Sequence, residues 1–381
     1  MNLSRKNFLK LSGSSLLGFS LFNSVNGFGA VNSASTKKTG GAMKIDIKTK
    51  QLELTHTWTI SRNSSDVKNN VFVRIEKDGI VGYGEAAPNV RYGENAELTT
   101  KKIKAALHIF KENDLFHFAN IKEAVDSAIV KQSCAKTALD IALMDWVSKA
   151  LNVPLHKFFG LNPADAPLTS FSIGIDTPEI IKQKVREAEQ YPLLKIKVGK
   201  PNDEEIINAV RSVTDKPIRV DANEGWKNKE EALEKILWLK SQGVEFIEQP
   251  MPSDMIEETA WLRERAGIPI VADEAVKNAA DIPKLATAYD GINIKLMKSG
   301  GLQEALRMIG MAKALGMKIM LGCMIESSVA ISAAAHLAPY ADWADLDGNL
   351  LISNDPFSGV KVEQGKFVFN EKPGLGVEGT F

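Results

Sequence analysis

The stretches "PIRVDANE", "VEFIEQP" and "PIVADEA" each run from apolar residues into an acid, namely Asp221, Glu248 and Asp273. One such acid is most simply a helix N-cap, because its oxygens accept from exposed N–H groups. Three in successive units need another account, since buried like charges repel one another without a cation. No His or Cys lies near them in sequence. A set of hard oxygen donors alone suits Mg²⁺, which favours octahedral oxygen coordination and leaves room for water or substrate.

Lysines complete the chemistry. "LKIKVG" carries Lys195 and Lys197 two residues apart, so on a strand they share a face. An unpaired ammonium in an apolar strand is costly. Either both lysines pair with nearby carboxylates, or one lowers the pKa of the other and makes it a usable base. "GINIKLM" supplies Lys295 on a later strand, and Lys298 falls just before Ser-Gly-Gly, where solvent exposure is expected. Two amines facing each other over a metal can remove a proton from one face of a carbon and return one to the other. That carbon must be α to a carboxylate, so that the metal stabilises an enediolate.

These groups need a scaffold that brings distant strand ends together. After Pro167, eight short apolar segments alternate with amphipathic stretches such as "DEEIINAVRSVT" and "LQEALRMIGMAKALG". The count of eight and the polar residues at the strand ends favour a (β/α)7–8 TIM-type barrel of the α/β class over a doubly wound open sheet. The barrel is expected over residues 166–355. An N-terminal α+β capping domain is expected over 43–165, completed by a β-rich, Gly-rich C-terminal segment over 356–381. In the capping domain "KIDIKTKQLEL" and "NVFVRIEKDG" read as strands, separated by a polar loop holding Trp58 and Arg62, and the second closes in an Asp-Gly turn. Residues 1–42 open with Arg5, Lys6 and Lys10 and pass through a weakly apolar run to small and polar residues. This is the layout of an export signal and flexible linker. "SRKNFLK" is twin-arginine-like, with Lys6 in the second arginine's place; the rival reading starts the chain at Met43.

The bulk composition excludes other classes. The 381 residues carry zero formal net charge, so no basic field draws them to nucleic acid or anionic lipid. No apolar run is long enough for a membrane span, and two cysteines, Cys134 and Cys323, give no disulfide framework. Self-association as a homo-oligomer stays open.

The ordered set of "LKIKVG", "VDANEGW", "IEQP", "ADE", "INIKLMKSGG" and the closing "KPGLGV" resembles the enolase superfamily in its muconate-lactonising subgroup, over nearly everything after residue 43. The resemblance implies metal binding by Asp221, Glu248 and Asp273 and acid–base roles for Lys197 and Lys295, with Lys195 supporting them. It implies supporting roles for Asn223 and Glu274 beside the ligands. "DLDG" resembles the Asp-x-Asp signature of dipeptide epimerases, in which both acids, here Asp345 and Asp347, hold the substrate's free α-ammonium. Alternation along a strand agrees, pointing both the same way. "GCMIES" resembles the segment whose backbone meets the dipeptide, placing Cys323, Met324 and Ile325 against substrate, with Cys323 a packing residue. Arg62 matches the arginine that binds a glutamate side chain, and Ser172 matches a hydroxyl lining the same pocket. Trp58 departs from the pattern and would favour an apolar side chain. The implied activity is Mg²⁺-dependent epimerisation of L-Ala-D/L-Glu-type dipeptides from cell-wall peptide. The alternatives are cycloisomerisation or o-succinylbenzoate synthesis on the same fold, whose substrates lack an α-ammonium, or a non-catalytic exported binding protein.

Overall fold

A computed structural model describes residues 42–381; the expected export signal lies outside the described residues. The chain first forms an antiparallel sheet of β1 (Lys44–Thr59), β2 (Ser64–Lys77) and β3 (Ile80–Ala86). Asp78 and Gly79 both take positive φ, the conformation that an Asp-Gly hairpin turn requires. The β1–β2 hairpin is longer than the sequence suggested. After an irregularity between Glu53 and Trp58 the ladder resumes, pairing Trp58 with Ser65 and Thr59 with Ser64. Trp58 therefore stands on a strand, and the loop shrinks to residues 60–63. Threonine and tryptophan favour extended backbone, which offsets the polar look of "THTWT".

Helices Ala96–Glu112 and Ser133–Ala150 pack on this sheet, and Phe118–Ala128 packs against both of them. Helix Ser133–Ala150 lies directly on β3. A Cβ at Gly82 or Gly84 would run into the carbonyls of Ala142 and Ala138, so these glycines permit the close approach.

The second layer is a ring of eight parallel strands: β4 (Phe171–Ile173), β5 (Leu194–Lys197), β6 (Ile218–Asp221), β7 (Val244–Glu248), β8 (Ile270–Ala272), β9 (Gly291–Lys295), β10 (Lys318–Gly322) and β11 (Trp343–Asp345). Each pairs with the next in sequence. A bridge between Thr169 and Ala344 joins the last to the first. Register then decides what meets at the mouth. Lys197 pairs with Asp221 and Asp221 with Glu248, while Lys295 pairs with Gly322 and Gly322 with Asp345. The strand-end residues thus stand at one level. Two residues earlier on the same inward face, Phe246, Met320 and Trp343 pack with Val271 as an apolar floor.

The tail leaves the barrel and joins the first sheet. β12 (Phe357–Ser358) pairs with β15 (Glu378–Gly379), and β13 (Lys361–Glu363) with β14 (Lys366–Val368). The rings of Phe357 and Phe381 lie 5.8 Å from that of Phe72. Leu375 N–H donates to Asp145 of the third capping helix at 2.8 Å.

Candidate active site

Asp221, Glu248 and Asp273 are buried, and each offers a carboxylate oxygen within 4.8 Å of the others. Every acid is fixed by a neighbour. Asn223 donates to Asp221 through its backbone N–H at 2.9 Å and its amide at 3.2 Å. Asn293, two residues before Lys295, donates to Glu248 Oε1 at 2.7 Å. Glu248 Oε2 lies 2.6 Å from Lys195 Nζ yet has no aligned hydrogen-bond donor. A buried, underused oxygen amid two further acids fits a hard divalent cation. Burial and the charge of Asp221 push the Glu248 pKa up, which is the mutual repulsion that a cation would relieve.

The lysines occupy opposite sides of the ring. Lys197 on β5 donates to Asp221 at 2.5 Å, and Lys295 on β9 donates to Asp273 at 2.7 Å. Lys195 is wholly buried between Asp345 at 2.6 Å, Glu248 at 2.6 Å and Asp221 at 3.5 Å. Burial would lower its pKa, but Asp345, Glu248 and Asp221 together raise it well above the ordinary value. The pairing of lysines with carboxylates, one of the two readings of "LKIKVG", is the one these contacts match. Lys298 overturns its expectation. A short helix, Leu296–Ser299, turns it inward, where it is 2% exposed. Its ammonium donates to the Asp273 carbonyl and carboxylate at 2.5 and 2.6 Å and to the Asn293 carbonyl at 2.9 Å. Those three acceptors use all its donors.

Across the ring, Asp345 accepts from Ser170 at 2.6 Å, Ser172 at 3.2 Å and Lys195. Asp347 lies just past β11 and accepts from the Ser172 backbone at 2.6 Å. Ser172 is thus bonded to this acidic pair while lining the same cavity as Arg62. Cys323 Sγ contacts the Asp345 carbonyl at 3.3 Å. Burial pushes its thiol pKa well up, as befits a packing residue.

Two loops of the capping sheet roof the site. Arg62 donates to the Asn223 carbonyl at 2.7 Å, Glu224 at 3.0 Å and Glu274 at 2.7 Å. Its fork is thus shared between two acids of the barrel. A cavity of about 580 Å³ lies beneath, lined by Arg62, Ser172, Lys197, Asn223, Asp273, Glu274, Lys295, Cys323, Met324, Ile325, Asp345 and Asp347 among others. Sequence reading missed Ser170, Asn293 and Glu326. The first two sit two residues before Ser172 and Lys295, and strand alternation would have flagged both. Glu326 is buried and accepts from Met324 N–H at 2.7 Å; burial pushes it up to about 8. Among the described residues no helix is long and apolar enough to cross a membrane.

Comparison with known proteins agrees with this geometry. Residues 44–160 match the mandelate racemase / muconate lactonizing enzyme N-terminal domain, and residues 180–380 match the enolase C-terminal domain-like family. An L-Ala-D/L-Glu epimerase of Bacteroides thetaiotaomicron is 46% identical, over 89% of this chain and 88% of its own length. An L-Ala-D/L-amino acid epimerase of Pedosphaera parvula is 42% identical, over 87% and 97%. The crystal structure of a dipeptide epimerase from Cytophaga hutchinsonii, complexed with Mg and D-Ala-L-Val, superposes with a TM-score of 0.84 at 28% identity, covering 89% of this chain and 96% of that one.

Proposed function

The chain belongs to the mandelate racemase / muconate lactonizing enzyme family, and on that premise we propose that it is a Mg²⁺-dependent epimerase of L-Ala-D/L-Glu-type dipeptides. The observation that carries the reading is the placement of Lys197 and Lys295 on opposite strands, each in contact with the buried acidic triad. Asp221, Glu248 and Asp273 would hold the ion, which when bound draws charge from the dipeptide's C-terminal carboxylate and makes the adjacent C–H more acidic.

The protein's own groups do the rest. Asp345 and Asp347 hold the dipeptide's ammonium and so fix its C-terminal α-carbon between the lysines. Lys197 Nζ takes the proton from one face, and Lys295 Nζ delivers one to the other; the reverse reaction exchanges their roles. Lys195 bridges Glu248 and Asp345, offsets their mutual repulsion and adds positive charge where the carboxylate gains electron density. Arg62, held by Glu224 and Glu274, receives an acidic side chain at the second position through the N–H groups that those acids leave free. The basic, apolar and polar sequence of residues 1–42 supports export to the cell envelope, near murein peptides. Fractionation of cells carrying a C-terminally tagged chain tests that location.

The enzymatic test is proton exchange. L-Ala-L-Glu incubated in D₂O with Mg²⁺ should gain one deuterium at the glutamate α-carbon and yield L-Ala-D-Glu. Lys197→Ala should lose exchange with one epimer while keeping it with the other, and Lys295→Ala should show the converse. Full epimerisation by both single variants would refute the two-base assignment. Absence of exchange from every free-amine dipeptide would refute the epimerase.

A further inference from the structure

A second cavity of about 220 Å³ adjoins the first and shares Trp58, Ser172 and Leu351 with it. Its character differs. The main cavity is ringed by charge, whereas this one combines an apolar part, Phe171, Tyr191 and Leu350, with a polar part that carries Lys184 and the hydrogen-bonded His56 and Glu187; the rings of Phe171 and Tyr191 stack at 4.5 Å. It sits on the outer side of β4, because Ser172 points into the barrel toward Asp345 and alternation turns Phe171 away.

The shared wall lies at the amino end of the site. Ser172 is bonded through its backbone to Asp347 and through its hydroxyl to Asp345. An ammonium held by that pair is one bond from the α-carbon of the first residue, so that residue's side chain begins beside this wall. The wall is built from the capping hairpin and the loop after β11. Trp58 and Leu351 pack with Leu54 onto a small cluster of Leu52, Ile325 and Ile352, apart from the main core. The Trp58 ring also lies 5.9 Å from Lys197 Nζ, so one indole touches both the reacting centre and the second cavity.

We propose that Trp58, with Leu351, is a partition that sets the size of the first residue of the substrate. In place, it confines that residue to a small side chain such as alanine. Behind it stands a side pocket whose apolar part, Phe171, Tyr191 and Leu350, suits an aliphatic or aromatic group. The proposal rests on the dipeptide epimerase reading and assigns specificity at the position opposite to the one Arg62 addresses.

The test compares kcat/KM for L-Leu-L-Glu and L-Ala-L-Glu in the full chain and in Trp58→Ala and Leu351→Ala. The unaltered protein should prefer L-Ala-L-Glu. Removing either half of the partition should raise the Leu/Ala ratio at least about tenfold, the lower end of what fitting added methylenes into an apolar pocket gives. Leu351→Ala does not touch Lys197, so it decides the matter should Trp58→Ala fail to fold or lose its chemistry. A ratio unchanged in the folded variants, or an unaltered protein that already takes L-Leu-L-Glu equally well, overturns the partition while leaving the epimerase reading intact. Failure of the unaltered protein on both substrates overturns the partition together with the L-Ala-D/L-Glu assignment.

Discussion

Asp345 and Asp347 are the same residue type two positions apart, yet their carboxyls behave oppositely. Burial works against ionisation of both. At Asp345 the ammonium groups of Lys195 and Lys197 outweigh it and hold the pKa near 2. At Asp347 burial acts with the charge of Asp345 and pushes the pKa to about 7. Below that value Asp347 takes up a proton and ceases to attract an ammonium, so affinity for a free-amine dipeptide falls with falling pH. KM for L-Ala-L-Glu should therefore rise as pH drops from 7.5 to 5.5, a range in which a free α-amino group (pKa about 7.7–8.0) is predominantly protonated. Asp347→Asn should flatten that profile and raise KM at least about tenfold at pH 7.5, as expected for breaking a buried charge pair. Steady-state kinetics across the range decides it, and a KM in the unaltered protein that ignores pH would remove Asp347 from ammonium binding. Asp345 and Asp347 could be picked out from the sequence because their spacing is visible. The inward turn of Lys298 could not. A lysine before Ser-Gly-Gly looks solvated until a four-residue helix delivers its three donors to Asp273 and Asn293.

At the level of elements, the eight barrel strands were readable because buried parallel strands are apolar runs bounded by turn residues. The hairpin tip was not, since "THTWT" mixes polar and aromatic residues and its pairing resumes only after an irregularity. That tip matters for closure. Asn223 and Glu224 both take positive φ, a left-handed conformation that non-glycine residues seldom adopt. The strained turn presents Glu224 to the capping loops, where it accepts from Arg62 at 3.0 Å, from Arg91 at 3.0 and 2.9 Å and from the Ser253 N–H at 3.0 Å. Burial would raise its pKa, but Arg91 and Ser253 outweigh that and keep it low. One barrel acid thus fastens two separate loops, 60–63 and 89–95, over the cavity. Charge-assisted hydrogen bonds of this kind are about twice as strong as neutral ones. Glu224→Gln should consequently speed amide hydrogen exchange in both loops together and raise KM severalfold, with kcat changed less. Faster exchange in only one loop would mean that Glu224 does not couple them.

For the whole molecule, closure of the ring is what assembles the site. Reading acids and lysines off strand ends works because a barrel carries function at the C-terminal edges of its strands. The sequence cannot show which of them touch, because contacts such as Ser170 to Asp345, 175 positions apart, exist only once the last strand meets the first. The same closure concentrates charge at a cost. Glu248 is pushed toward its neutral form by burial, by Asp221 and by Asp273, against the opposing charges of Lys195 and Lys295. A divalent ion on the triad should therefore bind the folded chain far better than the unfolded one and stabilise it. Mass action gives about 2.7 kcal/mol at free Mg²⁺ of 100 times Kd, a shift of a few degrees in Tm for a chain of this size. Scanning calorimetry in EDTA and in Mg²⁺ should show that rise, and an equal ionic strength of NaCl should not reproduce it. Glu248→Gln removes one donor and part of the repulsion, so it should lose most of the Mg²⁺-dependent rise while keeping its Tm in EDTA close to that of the unaltered chain. An undiminished rise in Glu248→Gln would place the ion elsewhere and leave the buried acids to be explained by their lysine partners alone.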